Sequence, residues 1–248
     1  MRSQATRAPQ PVLPEKTLRE EVAVVLFLSL LASAVYAIIS FTQAPLKGVT
    51  IHSVPQVSFP TQLANVVFGL APVWLVVYLV RRNGEGLGAI GLGGQGLAQD
   101  LGRGLILFAF AGVAGIGIYL GAVALGVNRF VVPVPPLGHW WTVPVLVMVA
   151  LESALVEEVI VVGYLTTRLQ QLGLTAAAAV GASALLRGTY HLYQGWGGFA
   201  GNVALGLFFG AVFVRTRRTW PLVIAHFLLD VGAGVGYLLF KDHLPGFH

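Results

Sequence analysis

Seven apolar runs divide this chain, at about residues 22–42, 61–80, 102–127, 141–167, 174–192, 197–214 and 220–240. Each comes close to or exceeds the roughly 20 residues an α-helix needs to cross a bilayer. Inside lipid every backbone N–H and C=O must be paired within the segment, so helices are the expected form. Composition agrees: of 248 residues 56% are hydrophobic and only 10% are charged. That is too few charges to cover a soluble domain of this size. The expected fold class is all-α, a polytopic transmembrane helical bundle of about seven transmembrane helices. Residues 1–20 are polar and carry prolines, which reads as a disordered cytoplasmic tail. Residues 21–248 read as one transmembrane domain.

The first run resembles a leader in having Ala32-Ser33-Ala34. Its apolar character continues through Tyr36-Ala37-Ile38-Ile39, however, and Glu20-Glu21 precede it, so it is read as a span.

The net charge of +5 points to nucleic acid only if the basic residues cluster on a soluble face. Instead they follow the spans. With a cytoplasmic N-terminus, the inner segments hold Arg2, Arg7, Lys16, Arg19, Arg81, Arg82, Arg103, Arg168, Arg215, Arg217 and Arg218. The outer segments hold Lys47, Arg129 and Lys241. This is the positive-inside pattern. It predicts a multi-pass cell-membrane protein whose partner is membrane lipid and not nucleic acid; the Ala-, Gly- and Val-rich style of the chain is read as that of a bacterial inner membrane. Cysteine is absent, which removes disulfides, thiolate nucleophiles and cysteine metal sites.

Two glycine motifs carry less than they suggest. Gly86-Leu87-Gly88-Ala89-Ile90-Gly91 fits GxGxxG, but no strand precedes it, so it reads as a loop between membrane helices. Gly117 and Gly121 form a GxxxG, read as close helix packing.

An ionisable residue within a span is costly and therefore a functional candidate. Glu152, Glu157, Glu158, Arg187, His191, His226 and Asp230 all fall in the last four runs, with Asn202 as a neutral companion. The C-terminal half thus reads as a site and the N-terminal half as scaffold. His226 and Asp230 are four apart and share a helix face, as do Arg187 and His191. Glu157 and Glu158 are adjacent, about 100° apart on an α-helix, so they are not expected to serve one atom. Burial disfavours the charged form of a carboxylate, which suits it to take a proton from water and return it. Histidines can orient that water or stabilise an oxyanion. Glutamate with two histidines therefore suits amide hydrolysis. Zinc held by His191, His226 and Glu157 is a weaker alternative, since H-E-x-x-H is absent. A proton-coupled transporter built on the same groups is a third reading.

Glu157-Glu158, then His191, then His226-x-x-x-Asp230, each in a late span, resembles the CPBP family, the CAAX-protease and bacteriocin-processing intramembrane endopeptidases. The resemblance covers about residues 140–240. It implies that Glu157 acts as the base on water, with His191 holding that water. It implies that His226 and Asp230 stabilise the oxyanion, Asp230 in its protonated form. The substrate class it implies is a peptide or protein, a C-terminal lipidated tail among them. The glutamate mechanism needs no metal, although the family has also been described as metalloproteases, so zinc stays open. Loss of activity, leaving an immunity or interaction role, is the alternative from another class.

This chain departs from the family pattern at two places. Where an arginine usually stands four residues after the second glutamate, the chain has Val162. Where a phenylalanine usually precedes the histidine by four, it has Arg187. Arg187 is therefore expected to pair with Glu158 from the neighbouring helix, and Val162→Arg is expected to rescue Arg187→Phe. Arg168 is the rival partner, expected instead at the cytoplasmic end as a topology anchor. Glu152 is left unassigned, and Asn202 is expected to bond between helices. His139, Trp140 and Trp141 read as an interfacial belt, and His52, His243 and His248 as solvated. One difficulty concerns depth: at ~1.5 Å per residue, Glu157 and His191 lie about 20–25 Å from the inner ends of their runs, and His226 only about 10 Å.

Overall fold

The computed structural model describes residues 13–94 and 96–241. The expected tail lies mostly outside this range, as do His243 and His248. From Glu15 onward the chain is helical, so the tail stops short of residue 20.

The chain is an all-α bundle. Helices α1 (Glu15–Leu28) and α2 (Leu31–Gln43) replace the single expected first span and are bent by 49°. The break has a local cause: the Ser29 hydroxyl donates to the Val25 carbonyl at 2.6 Å, while the Ser29 N–H goes to Leu26. A side chain inserted into the helical ladder is a recognised source of kinks. Next come α3 (Phe59–Gly69) and α4 (Ala71–Arg82), one apolar run stepped at Leu70. Pro72 in the first turn of α4 has no N–H and ends the ladder of α3 there. Helix α5 (Leu97–Ala124) is unbroken over 28 residues.

Helix α6 (Thr142–Leu155) runs without interruption into a π-helical segment, Val156–Leu165, and then into α7 (Thr166–Gln171). The set is completed by α8 (Ala176–Tyr190), α9 (Trp196–Thr216) and α10 (Trp220–Phe240). Helix α8 packs along α9, and α10 lies between α5 and α6.

Among the described residues, four helical stretches are long and apolar enough to cross a membrane: Phe59–Arg82, Leu97–Ala124, Trp196–Thr216 and Trp220–Phe240. The bent pair α1–α2 makes a fifth when counted as one span. The expected count of seven is therefore reduced. The run at 141–167 is helical but changes type midway, and α8 has only 15 residues. The protein is a multi-pass membrane protein, and side chains such as Phe110, Val113 and Ile116 on α5 stay exposed where lipid would cover them.

Two three-residue strands, β1 (Thr50–His52) and β2 (Phe130–Val132), pair in parallel, a feature outside the all-helical expectation. They sit in the segments assigned to the outer side. There the buried Arg129 ties the loops together: its guanidinium donates to the carbonyls of Ser40, Ala44, Pro45 and Tyr193. Two of those acceptors, Ser40 O and Ala44 O, lie at the C-terminal end of α2, where a cation is favoured. Arg129, counted in the sequence only as a charge of the outer segments, is a structural hub. Its neighbour Asn128 accepts from the Gly198 N–H at 2.8 Å, which fixes the start of α9.

The opposite end is closed by ion pairs: Glu21 with Arg82, Asp100 with Arg218, and Glu85 with Arg168 at 2.6 Å. Arg168 is thus at the end expected for it, but buried and not available to Glu158.

Candidate active site

The depth difficulty is resolved by the π-helical segment and its neighbours. Gly163 lies directly against the Ile90 carbonyl and the Thr219 hydroxyl; a Cβ there would stand 2.7 Å from the first and 3.0 Å from the second. The Thr219 hydroxyl itself donates to Ile90 O at 2.7 Å. Thr219 caps the start of α10, so α7 projects past the inner end of α10 by two turns. Glu158 is five residues before Gly163 and His226 seven after Thr219. At ~1.5 Å per residue they then sit about 8 Å and about 10 Å from the same level, within one turn of each other.

A π-turn bonds i to i+5 and is wider than an α-turn; such segments are rare and recur at functional sites. Here one displaced carbonyl, Val161 O, accepts from the buried Ser183 hydroxyl of α8 at 2.6 Å. The wider turn also rotates position 162 away from 158. Val162 packs instead with Phe209, Phe213, Leu222 and Ala225.

The arginine consequently comes from α8. Arg187 Nη1 donates to Glu158 Oε1 at 2.7 Å, with both side chains buried. Its Nη2 lies 3.2 Å from Glu157 Oε2. One guanidinium thus bridges both carboxylates, each at its own nitrogen, so the adjacent glutamates share a partner without serving one atom. The planar fork of arginine and the widened turn make this possible. The expected rescue by Val162→Arg loses its basis, because a guanidinium there would enter the phenylalanine cluster.

His226 Nδ1 is 2.8 Å from Glu158 Oε1, so a proton lies between them and Nδ1 carries it. Arg187 Nη2 stands 3.4 Å from the same nitrogen, and arginine has no lone pair to offer it. This fixes the ring and leaves Nε2 facing Asp230 Oδ2 at 3.5 Å, one turn along α10. Asp230 is the open edge of the cluster, its side chain 40% exposed against 6% for His226.

His191 caps the C-terminus of α8, with Nδ1 3.3 Å from the Arg187 carbonyl. Its Nε2 is 3.9 Å from Glu157 Oε1, a spacing that one water can bridge. The site residues named from the sequence, Glu157, Glu158, Arg187, His191, His226 and Asp230, therefore meet in one cluster, buried at the glutamates, Arg187 and His226 and open at Asp230. Glu152 does not join it; its carboxylate packs at Gly69 of α3. Asn202 bonds the Gly198 carbonyl of its own helix and not a neighbour. His52 is exposed. In the supposed belt Trp140 is exposed, but Trp141 is buried and stacks on His139 at 4.7 Å.

One participant was missed. Tyr190 donates its hydroxyl to Glu157 Oε2 at 2.9 Å. Its signal was its place three residues after Arg187, on the same face of α8.

Could the cluster hold a metal? Glu157, Glu158 and His226 offer donor atoms within 4.8 Å of one another, whereas His191 is outside that group. The space among them is filled by the Arg187 guanidinium, which contacts one atom of each. A divalent cation would have to share it with that positive charge, so these residues do not fit a metal with Arg187 in place.

Beside the cluster, α5, α9 and α10 enclose an apolar cleft of about 850 Å³. Leu229 and Ala233 of α10 line it, as do Asn128, Gln194 and Asn202, whereas none of the cluster's own residues does.

No curated protein and no solved structure gives a significant match to the chain. Residues 139–232, the stretch from the end of the β2 loop into α10 that supplies every residue of the cluster, match the family model described as type II CAAX prenyl endopeptidase Rce1-like, a similarity consistent with the CPBP resemblance of the motifs.

Proposed function

We propose that the protein is an intramembrane endopeptidase that hydrolyses a peptide bond with water activated by Glu157. The observation that carries this reading is the convergence of Glu157, His191, His226 and Asp230 in one cluster, within the segment that matches the endopeptidase family. Glu157 takes a proton from a water held between its Oε1 and His191 Nε2. The water oxygen bonds to the scissile carbonyl carbon, and the carbonyl electron pair moves onto its oxygen. His226 Nε2, when protonated, and a protonated Asp230 donate to that oxyanion. Collapse breaks the C–N bond, and the proton on Glu157 goes to the departing amine.

The water, not a metal, supplies the nucleophile in this reading, and no cofactor is required. A peptide bearing a prenylated CAAX terminus is the substrate class suggested by the matching family's description. The apolar cleft bordered by α5, α9 and α10 has room for a lipid-like group. The basic residues of the 81–103 and 215–218 segments favour a cytoplasmic placement of that end, with the N-terminus on the same side.

A second reading has one observation behind it. Arg187 touches Glu157 as well as Glu158, and a neutralised Glu157 would make the protein a silent relative. The two readings separate on the purified chain in detergent micelles, given quenched peptides with and without a farnesylated CAAX end. Proteolysis, with the cut located by mass spectrometry, supports the enzyme. Absence of any cut in both peptide sets supports the silent relative.

A further inference from the structure

The two oxygens of Glu157 have different surroundings. Oε2 receives the Tyr190 hydroxyl at 2.9 Å and lies 3.2 Å from Arg187 Nη2. Oε1 faces His191 Nε2 across 3.9 Å. Arg187 and Tyr190 are three residues apart, so one face of α8 presents both donors to the same oxygen. His191 follows at the end of that helix and addresses the other oxygen. Tyr190 itself is buried, its ring 4.8 Å from that of His191.

A carboxylate that acts on water at one oxygen gains from having its other oxygen occupied. Left free, it turns about its last bond and presents either oxygen to either partner. A misplacement of about 1 Å at a reacting centre costs on the order of a hundredfold in rate. The Arg187 contact alone is long and shared with Glu158. The short bond from Tyr190 is the one that belongs to Glu157.

We infer that Tyr190 is a positioning residue: with Arg187 it reserves Oε2 of Glu157, so that water loses its proton to Oε1, on the His191 side. This rests on the reading of Glu157 as the base. The step balances as before, with the O–H bond of water broken, its proton carried on Oε1, and the same proton delivered to the amine nitrogen.

The test uses the full chain in lipid nanodiscs, as wild type, Tyr190→Phe and Glu157→Gln. Infrared difference spectra against Glu157→Gln isolate the carboxylate bands of Glu157. The inference expects Tyr190→Phe to shift the separation of the symmetric and antisymmetric bands, since one oxygen loses its strong donor. It further expects kcat on a farnesylated fluorogenic peptide to fall about tenfold or more, with KM little changed. A structural role would lower the melting temperature and leave the Glu157 bands in place. Unshifted bands overturn the inference, as does an unaltered kcat beside shifted bands. The infrared arm reads even where the peptide is not cut. Failure of the protease reading is seen separately, as equal turnover by wild type and Glu157→Gln.

Discussion

Arg187 Nη1 lies 2.7 Å from Glu158 Oε1, and both side chains are sealed from solvent. The pair joins α8 to the π-helical segment in the middle of the bundle. It also decides the charge state of the site, because Glu157 and His226 lean on the same two groups. Removing one partner of a buried pair leaves an uncompensated charge and costs about 3–5 kcal/mol. Arg187→Met should therefore destabilise strongly. Adding Glu158→Gln to Arg187→Met should recover part of the loss, since the orphaned charge goes with it. Thermal unfolding in one detergent, across the double-mutant cycle, measures this. A Glu158→Gln change that only worsens Arg187→Met contradicts it.

Gly163 is where the π-helical segment passes the start of α10. Even one methyl group there meets the backbone carbonyl of Ile90 at 2.7 Å. Gly163→Ala should cost about 1–3 kcal/mol through overpacking. It should also separate Glu158 from His226 and reduce turnover more than its stability loss explains. Melting temperature and turnover of the variant, measured side by side, check both parts.

The all-helical membrane architecture was legible in the sequence, because lipid demands long apolar helices, but the number of spans was not: of the seven runs, those at 141–167 and 174–192 do not form long, uninterrupted apolar α-helices among the described residues. The clustering of acids and histidines was legible, since a charge placed in a span is too costly to be accidental. The pairing of Arg187 with Glu158 was legible as a displacement: an arginine missing from one helix and unexplained on the next. The π-helical segment was not. Val-Glu-Glu-Val-Ile-Val-Val-Gly-Tyr-Leu has no residue that α-helix would reject. The widening comes from contacts distant in sequence, Ser183 on Val161 O and Ile90 against Gly163. With it went the meeting of the two glutamates and the fate of position 162. Ser29 was equally silent, for serine side chains bond back in many straight helices. The role of Arg129 as a hub was not legible either, because its carbonyl partners, from Ser40 to Tyr193, are distant from it in sequence.

Asp230 is the open edge of the cluster and is expected to act as a donor to the oxyanion. Asn can donate from the same place, whereas Ala cannot. Asp230→Ala should lower kcat by about 10²–10³, the cost of one oxyanion donor. Asp230→Asn should keep most of the activity. Steady-state kinetics on a cleaved peptide decides; equal losses in the two variants would remove the donor role.

Arg129 binds four carbonyls and the Ser40 hydroxyl with no carboxylate among these partners. Its hydrogen bonds are charge-assisted, each contributing about 1.5–3 kcal/mol. Arg129→Leu should destabilise by at least that much. Through the Tyr193 carbonyl it should also loosen the loop that carries His191. Hydrogen exchange of the 190–198 amides, faster in the variant than in wild type, is the expected signature.

The most direct measurement is peptide cleavage by the purified protein, wild type beside Glu157→Gln, each with and without a chelator. The account predicts that the wild type cuts in both conditions, and that Glu157→Gln, still folded, loses at least about 10²–10⁴ in rate. Cleavage that survives Glu157→Gln, or that the chelator alone abolishes, would contradict it.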